Sequence, residues 1–297
     1  MIAASASMPR AKFSDYFELT KPRLSLLSVL TTLVGYFAAQ PARNGAQLFF
    51  LMLGTSLAAG GVAALNQWME QDTDARMKRT ANRPIPSGKV PPGSAYVLGI
   101  LMCIAALFMT FALVNPLAAL FTLLTIFSYL GWYTPAKRFS RWSTEIGALA
   151  GAFPPLIGWA AGEGRITALG WILFGILFFW QIPHFMALAW TYRRDYSTVH
   201  FPMLSVRDES GTWVAWWSLI TTVGLVVVSL LPLWLGLDTL WYGAAAASCG
   251  AWFLWRALWF LRAGTREVEA RRLFIASIVY LPLVLTALVV DRLLAMP

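Results

Sequence analysis

Apolar runs of about 20 residues recur along the whole chain and alternate with short polar stretches. A single run of this length is also consistent with a buried helix of a soluble protein, but nine in series are not. The pattern therefore predicts an all-α, polytopic membrane protein with nine transmembrane helices. The predicted spans are Leu24–Gln40, Leu48–Leu65, Ala95–Leu113, Leu117–Tyr133, Glu145–Ala161, Leu169–Trp190, Trp213–Leu231, Leu240–Trp255 and Leu273–Leu294.

The composition agrees with this prediction. Of the 297 residues, 58% are hydrophobic and only 12% are charged, whereas roughly a quarter of the residues in soluble domains are charged. We expect two parts: a cytoplasmic amino-terminal segment, residues 1–23, and a single nine-helix membrane domain, residues 24–297. The first segment shows neither the apolar stretch of a signal peptide nor a long amphipathic presequence rich in Arg and Ser, which favours a bacterial inner membrane over an organelle.

Basic residues are unevenly distributed along the chain, whose formal net charge is +9. All but three of the 23 Lys and Arg residues lie before the first predicted span or after the second, fourth, sixth and eighth. The exceptions are Arg43, Arg165 and Arg292. By the positive-inside rule, this bias places the amino terminus in the cytoplasm and the carboxyl terminus in the periplasm. The charge is thus a topology signal, and the expected partner is the lipid bilayer rather than nucleic acid.

The most informative polar pattern begins where the second predicted span ends. Asn66, Glu70 and Asp74 are spaced four residues apart, so a helix would place all three on one stripe. Acidic residues at the end of a membrane helix are costly to desolvate and indicate a functional site. Asp72 adds a fourth oxygen-bearing side chain, but it would point away from the stripe and is the weakest candidate ligand.

A basic run follows these acids, and its members are Arg76, Lys78, Arg79 and Arg83. Carboxylate and amide oxygens suit Mg²⁺, and guanidinium and ammonium groups suit phosphate oxygens. The combination predicts a site for a polyanion that arrives with a divalent metal, with Asn66, Glu70, Asp72 and Asp74 as candidate ligands. The alternative is a solvated loop whose salt bridges arise by chance.

Three further groups allow either a functional or an ordinary role. Tyr133 and Lys137, after the fourth span, are candidates for contacts with a diphosphate, or else an interfacial aromatic and a topology charge. His184 follows Pro183 inside the sixth span, where a kink is expected, and is either a ligand-binding residue or a packed, hydrogen-bonded one. Asp195 either completes a second metal site or belongs to another loop whose charges only set the membrane topology.

The acidic and basic motifs join into one longer pattern. It runs Asn66-x3-Glu70-x-Asp72-x-Asp74 and continues through Arg79-Thr80 and Asn82-Arg83-Pro84. This pattern resembles the first signature of the UbiA superfamily of intramembrane prenyltransferases. Further stretches are similar to the branch of that superfamily that farnesylates protohaem IX; they are residues 18–23, 151–160, 180–185 and 202–204.

The resemblance implies nine helices around a central cavity that polar loops close on the cytoplasmic side. Farnesyl diphosphate would be bound through Mg²⁺ by the Asn66, Glu70 and Asp74 stripe, with phosphate contacts from Lys137, Arg79 and Arg83. Haem B would be the second substrate and not a permanent cofactor, and haem O the product. His184 would then be an iron ligand, a propionate partner or a structural hydrogen-bonding residue. Haem A synthase or the assembly of a terminal oxidase would be a downstream partner.

The chain departs from the superfamily pattern at two positions. Glu70 stands where Asp is usual, which keeps the charge on a longer arm. The second acidic motif is reduced to Asp195 directly after Arg194, so a second Mg²⁺ stays open and Arg193 or Arg194 could contact the diphosphate instead. Two alternatives also stay open: a related prenyltransferase with another aromatic acceptor, and a membrane transporter or assembly factor without catalysis.

Overall fold

The structure is a computed structural model that describes residues 11–40 and 44–294. The first ten residues of the expected amino-terminal segment, and Arg43 with its predicted place opposite the other basic residues, lie outside the described part of the chain. Within that part, every regular element is helical and no strand occurs, which confirms the all-α fold class.

Fifteen α-helices follow one another in the described residues. They are α1 Phe13–Leu19, α2 Pro22–Ala38, α3 Gly45–Met69, α4 Gln71–Asp74, α5 Pro92–Met109, α6 Pro116–Phe127, α7 Thr134–Phe139, α8 Ser143–Ala152, α9 Pro154–Glu163, α10 Ala168–Thr191, α11 Arg193–Ser197, α12 Leu204–Arg207, α13 Thr212–Trp234, α14 Leu240–Phe260 and α15 Arg266–Leu294. Two π-helical turns, Thr110–Val114 and Ser128–Tyr133, extend α5 and join α6 to α7. A short 3₁₀ turn, Ala263–Thr265, precedes α15.

Each predicted span has a helical counterpart. Among the described residues, six helical segments are long and apolar enough to cross a membrane; they comprise residues 45–69, 92–114, 116–139, 168–191, 212–234 and 263–294. The first predicted span corresponds to α2, which is shorter than these six segments, and the fifth is divided into α8 and α9. The eighth corresponds to α14, which is not among the six. That division occurs at Pro154 and Pro155, which lack the amide hydrogens needed to continue the ladder of α8. The polytopic architecture follows, whereas the count of nine crossings stays a prediction.

Local sequence signals set the helix ends. Asn115 Oδ1 accepts from the backbone nitrogen of Ala118 at 2.7 Å, and Pro116 occupies the first turn of α6. The Asn115 amide also donates to the carbonyl of Ala160 at 2.8 Å. One capping residue therefore both starts α6 and ties it to α9.

The backbones of α2 and α9 are in close contact. A Cβ built on Gly158 would lie 1.8 Å from the carbonyl oxygen of Thr32, and one on Gly35 would lie 2.0 Å from the carbonyl oxygen of Pro155. The hydroxyl of Thr32 also donates to the carbonyl of Pro154 at 3.0 Å. Small residues permit this approach, and tight packing is a main source of stability between helices in lipid.

The outer surface is strongly apolar. Along α5, Leu101, Ile104 and Phe108 are each more than half exposed, which would be unfavourable in water but is expected against lipid. Trp213 and Trp241, at the first turns of α13 and α14, are also largely exposed, as in the aromatic belt of membrane proteins. These faces agree with a protein surrounded by a bilayer.

Gly158→Ala should strongly destabilise the fold. The added methyl group would meet the backbone oxygen of Thr32, which cannot move aside as a flexible side chain could, and the expected cost is about 3 kcal/mol or more. Gly93→Ala is the matched control because its Cβ would have no neighbour within 4 Å. Thermal melting in detergent measures both. Equal melting temperatures for the two variants would contradict the α2–α9 contact.

Candidate active site

Three side chains at the end of α3 lie on one buried stripe. The amide of Glu70 donates to the carbonyl of Asn66 at 3.0 Å, and the amide of Asp74 donates to the carbonyl of Glu70 at 2.8 Å. This pattern carries the helical register from α3 into α4 across Glu70, which belongs to neither helix. Asn66, Glu70 and Asp74 are 1%, 5% and 1% exposed. The structure thus brings these three predicted site residues together.

Each carboxylate of the stripe is paired with a basic side chain. Lys137 Nζ donates to the Glu70 oxygens at 2.8 and 3.1 Å, and Arg83 NH1 donates to Asp74 Oδ2 at 2.5 Å. Burial raises the pKa of Glu70, but the charge and hydrogen bond of Lys137 outweigh it and hold the pKa below its ordinary value. Glu70 is therefore an anion at neutral pH, despite its burial.

A third base, Lys21, reaches the stripe although it was not among the expected site residues. Its Nζ donates to Asn66 Oδ1 at 2.9 Å, and Asn66 Nδ2 donates to Thr134 Oγ1 at 3.2 Å. Lys21 has a φ of +45° at the start of α2, a left-handed conformation that costs on the order of 1 kcal/mol. Burial, and then the charges of Arg83 and Lys137, lower the pKa of Lys21 to about 7.

The π-helical turn before α7 positions the bases on the other side of the stripe. The backbone N–H of Thr134 donates to the carbonyl of Tyr129, five residues back, as in a π-helix, and Thr134 Oγ1 donates to the same carbonyl at 2.9 Å. Lys137 Nζ lies 4.4 Å from the ring centroid of Tyr133, and the Tyr129 and Tyr133 rings meet edge to face at 5.0 Å. This cation–π contact holds the ammonium group of Lys137 beside the stripe.

The side-chain oxygens of the stripe suit magnesium. Oδ1 of Asp74 is buried without a hydrogen-bond partner, so one carboxylate oxygen remains to be satisfied. Mg²⁺ binds few protein oxygens and completes its shell with phosphate oxygens and water. Within residues 11–40 and 44–294, no group of three or more His, Cys, Asp or Glu is placed to hold a metal ion by itself. The stripe offers two carboxylates and one amide oxygen, and this set fits a metal ion whose remaining ligands come from a phosphate-bearing molecule.

Asp72 is not brought into this cluster. Its side chain is 56% exposed, and its Oδ1 accepts from Arg138 NH2 at 2.8 Å. Arg138 NH2 also donates to the carbonyl of Met69 at 2.8 Å, so the pair covers the end of α3. The arrangement gives no support to Asp72 as a metal ligand, and that role stays a prediction.

The second polar loop, residues 192–203, lies against the first polar loop, residues 75–91. Asp195 accepts hydrogen bonds from the backbone nitrogens of Lys78 and Arg79, at 3.1 and 3.4 Å. Arg79 NH2 donates to the hydroxyl of Tyr196 at 3.2 Å. Arg194 is exposed. The two loops are therefore in contact, but Asp195 uses both carboxylate oxygens on backbone amides.

His184 lies apart from the stripe, between α10 and α15. Its Nδ1 is 2.7 Å from Ser277 Oγ, and its ring lies near those of Trp180 and Phe274, with centroids 5.0 and 4.7 Å away. These contacts are those of a packed, hydrogen-bonded histidine. Nε2 is the ring nitrogen left for any ligand.

Residues 28–278 match the model of the UbiA prenyltransferase family, and the chain belongs to this family. The membership confirms the family resemblance of the acidic and basic motifs.

Two relatives carry the same more specific name. The chain is 74% identical to the protoheme IX farnesyltransferase of Opitutus terrae over 283 residues, which cover 95% of this chain and 96% of that protein. It is 41% identical to the protoheme IX farnesyltransferase of Solibacter usitatus over 288 residues, or 94% of this chain and 98% of that protein. These similarities span essentially the whole of all three proteins.

Solved structures share the fold at much lower sequence identity. One comes from a study of digeranylgeranylglyceryl phosphate synthase, with a TM-score of 0.80, 16% identity and coverage of 94% of this chain and 98% of that one. Another is a UbiA homolog from Archaeoglobus fulgidus bound to GPP and Mg²⁺, with a TM-score of 0.68, 13% identity and coverage of 92% and 99%. At these identities the likeness establishes the fold alone.

Arg83→Gln should raise the pKa of Lys21 from about 7 toward its ordinary 10.5, because Arg83 is the largest of the charges that lower it. In the wild type, the folded protein releases this proton at lower pH than the unfolded chain. Lys21 should therefore favour folding increasingly as the pH rises from about 7 to 10.5.

Carbon-13 NMR of methylated lysines, with Lys21 assigned by substitution, measures this pKa. Lys89→Gln, an exposed base on the same loop, should leave the Lys21 pKa unchanged. If the Lys21 pKa does not rise after Arg83→Gln, the charge of Arg83 is not what lowers it.

Proposed function

We propose that this protein transfers the farnesyl group of farnesyl diphosphate to a vinyl group of protohaem IX (haem B), which gives haem O. The observation that carries the proposal is the buried stripe of Asn66, Glu70 and Asp74 with a base on each member. It occurs in a chain 74% identical to a protein named protoheme IX farnesyltransferase. Asn66, Glu70, Asp74 and Lys137 are the proposed catalytic residues.

The diphosphate is the part of the substrate that the stripe and its bases recognise. Lys21, Lys137 and Arg83 approach the stripe from three different elements, so an anion bound there meets cations on several sides. Asn66, Glu70 and Asp74 would hold Mg²⁺, which would supply neutralisation of the charge on the leaving diphosphate. The UbiA homologs solved with GPP or DMAPP and Mg²⁺ support this cofactor.

The reaction needs electrostatic help more than a protein nucleophile. As the allylic carbon–oxygen bond breaks, its electron pair goes to the diphosphate, and preorganised cations stabilise that charge. The allylic cation is then attacked by the electron pair of a haem vinyl group, which forms the new carbon–carbon bond. Water adds to the resulting cation and loses a proton, which leaves a hydroxyethylfarnesyl substituent. The apolar residues of α3 that lead to Asn66 would help to keep water from the first cation.

The same site would suit a prenyltransferase with another aromatic acceptor. The similarity to proteins named for protoheme IX favours haem. A transporter or non-catalytic assembly factor is disfavoured because the acidic residues gather at one end of α3 instead of near mid-membrane.

We also propose a bacterial inner membrane as the location, with the amino terminus and the polar loops in the cytoplasm and the carboxyl terminus in the periplasm. The distribution of Lys and Arg supports this orientation. Haem O would then pass to haem A synthase or to terminal-oxidase assembly.

Asp74→Asn should remove on the order of 10² to 10³ of the turnover, because a neutral amide replaces the anion that pairs with Arg83. The assay supplies farnesyl diphosphate, haem B and Mg²⁺ in detergent and detects farnesylated haem by mass spectrometry. Glu209→Gln, an exposed acid in the α12–α13 loop, is the control and should keep wild-type turnover. Wild-type turnover by Asp74→Asn would refute the assignment of the site.

His184→Ala should change the Soret band of haem bound to the purified protein if Nε2 meets the haem. His184→Asn, whose amide group occupies the position of Nδ1 and places nothing at the position of Nε2, should restore the hydrogen bond to Ser277 Oγ and the melting temperature without restoring the band. If both variants bind haem with an unchanged spectrum, His184 is a packing residue only.

A further inference from the structure

A clasp joins the two polar loops beside the stripe. The first loop, residues 75–91, follows α4, and the second, residues 192–203, follows α10. We propose that Asp195 is the positioning residue of this clasp, holding the Arg79-bearing loop over the stripe, and is not a metal ligand. The role in catalysis rests on the proposed function, whereas the clasp itself does not.

The carboxylate of Asp195 is the centre of the contact. Its Oδ1 accepts from the backbone nitrogen of Lys78 at 3.1 Å, and its Oδ2 accepts from that of Arg79 at 3.4 Å. Successive backbone N–H groups that converge on one anion form a recognised binding arrangement. The oxygens of Glu70 and Asn66 also have donors, but these are lysine side chains that can turn toward a phosphate. The donors to Asp195 are main-chain groups, so metal binding by Asp195 would require the first loop itself to move.

Arg79 makes a second contact between the loops. Its guanidinium carbon lies 5.6 and 5.7 Å from the ring centroids of Tyr192 and Tyr196, and its NH2 donates to the hydroxyl of Tyr196 at 3.2 Å. Cation–π contacts at partly exposed sites are worth roughly 0.5–1 kcal/mol each. Arg79 is therefore held at its backbone by Asp195 and at its side chain by the two tyrosines.

An apolar cluster fills the junction beneath these polar contacts. Met77 from the first loop packs with Val199 and Phe201 from the second, and all three are at most 7% exposed. Tyr196 and Met203 pack against the cluster. Buried apolar side chains contributed by both loops indicate a folded junction instead of two independent connections.

The clasp is linked to the stripe through the first loop. Thr80 Oγ1 donates to the carbonyl of Asp74 at 2.8 Å, and Arg83 NH1 donates to the carboxylate of Asp74. Residues 77–83 thus run from the contact with Asp195 to the contact with Asp74. Releasing Asp195 should loosen Arg79 and Arg83 together, and with them the expected grip on the diphosphate.

Limited trypsin digestion tests the clasp without relying on activity. Arg76, Lys78 and Arg79 are exposed and offer cleavage sites in the first loop. Asp195→Ala should speed cleavage there by about tenfold or more, as the loss of a charge-assisted hydrogen bond implies. Asp195→Asn keeps one acceptor oxygen for the Lys78 amide but turns an NH2 group toward the Arg79 amide, so its cleavage rate should lie between those of Asp195→Ala and the wild type. Glu209→Gln is again the control for loss of an acidic residue.

Kinetics then separate a clasp from a metal ligand. For a clasp, Asp195→Ala should raise KM for farnesyl diphosphate by roughly tenfold and leave the Mg²⁺ concentration for half-maximal rate unchanged. Asp195→Asn should then lower KM part of the way back to the wild-type value. For a metal ligand, both variants should raise the Mg²⁺ requirement, because the neutral amide does not replace the charge. Tyr196→Phe, which removes only the hydroxyl bonded to Arg79, should raise KM without altering the Mg²⁺ requirement.

Wild-type cleavage of Asp195→Ala would overturn the clasp, and an increased Mg²⁺ requirement in Asp195→Asn would overturn the exclusion of a metal role. If wild-type protein makes no farnesylated haem at all, the proposed function fails, while the digestion result still decides whether the clasp exists.

Discussion

The interaction on which the site depends is the pairing of buried oxygen ligands with cations at the end of α3. Glu70 and Asp74 could not remain ionised inside an apolar helix bundle without compensation. Lys137 and Arg83 provide that compensation. Lys21 donates a hydrogen bond to the buried amide oxygen of Asn66. Because the three bases come from the start of α2, the first polar loop and α7, this requirement draws distant elements to one point.

The same pairing gives the site its chemical character. Anions that are balanced by nearby cations form a region that can accept a metal and a multiply charged phosphate together, with little change in net charge. In the proposed reaction, the negative charge on the leaving diphosphate would develop between side chains that are already oriented, which is the condition for electrostatic catalysis. The surrounding apolar helices strengthen these interactions because they exclude water. Fold and chemistry are therefore linked at the end of α3.

Much of this arrangement could be predicted from local sequence. Apolar runs gave the helices, and the spacing of Asn66, Glu70 and Asp74 gave the stripe, because both depend on the period of one helix. Lys21 was missed because its partner Asn66 is 45 residues away, and the sequence showed only a lysine before Pro22. For Asp195 the sequence left open a second metal site or an ordinary loop, and it gave no sign of its partners, which are backbone amides 117 and 116 residues away. Such partners carry no side-chain signature in the sequence.

The contact between α2 and α9 has a consequence for how molecules reach the interior. Where Gly35 and Gly158 let the two backbones touch, no space remains for a hydrocarbon chain or a flat ring to pass between them. Opening that seam would separate the main chains of both helices and not merely rotate a side chain. At the level of this contact, a route from the bilayer to the proposed catalytic stripe would have to run between other helices, with α2 and α9 as a rigid side of the passage.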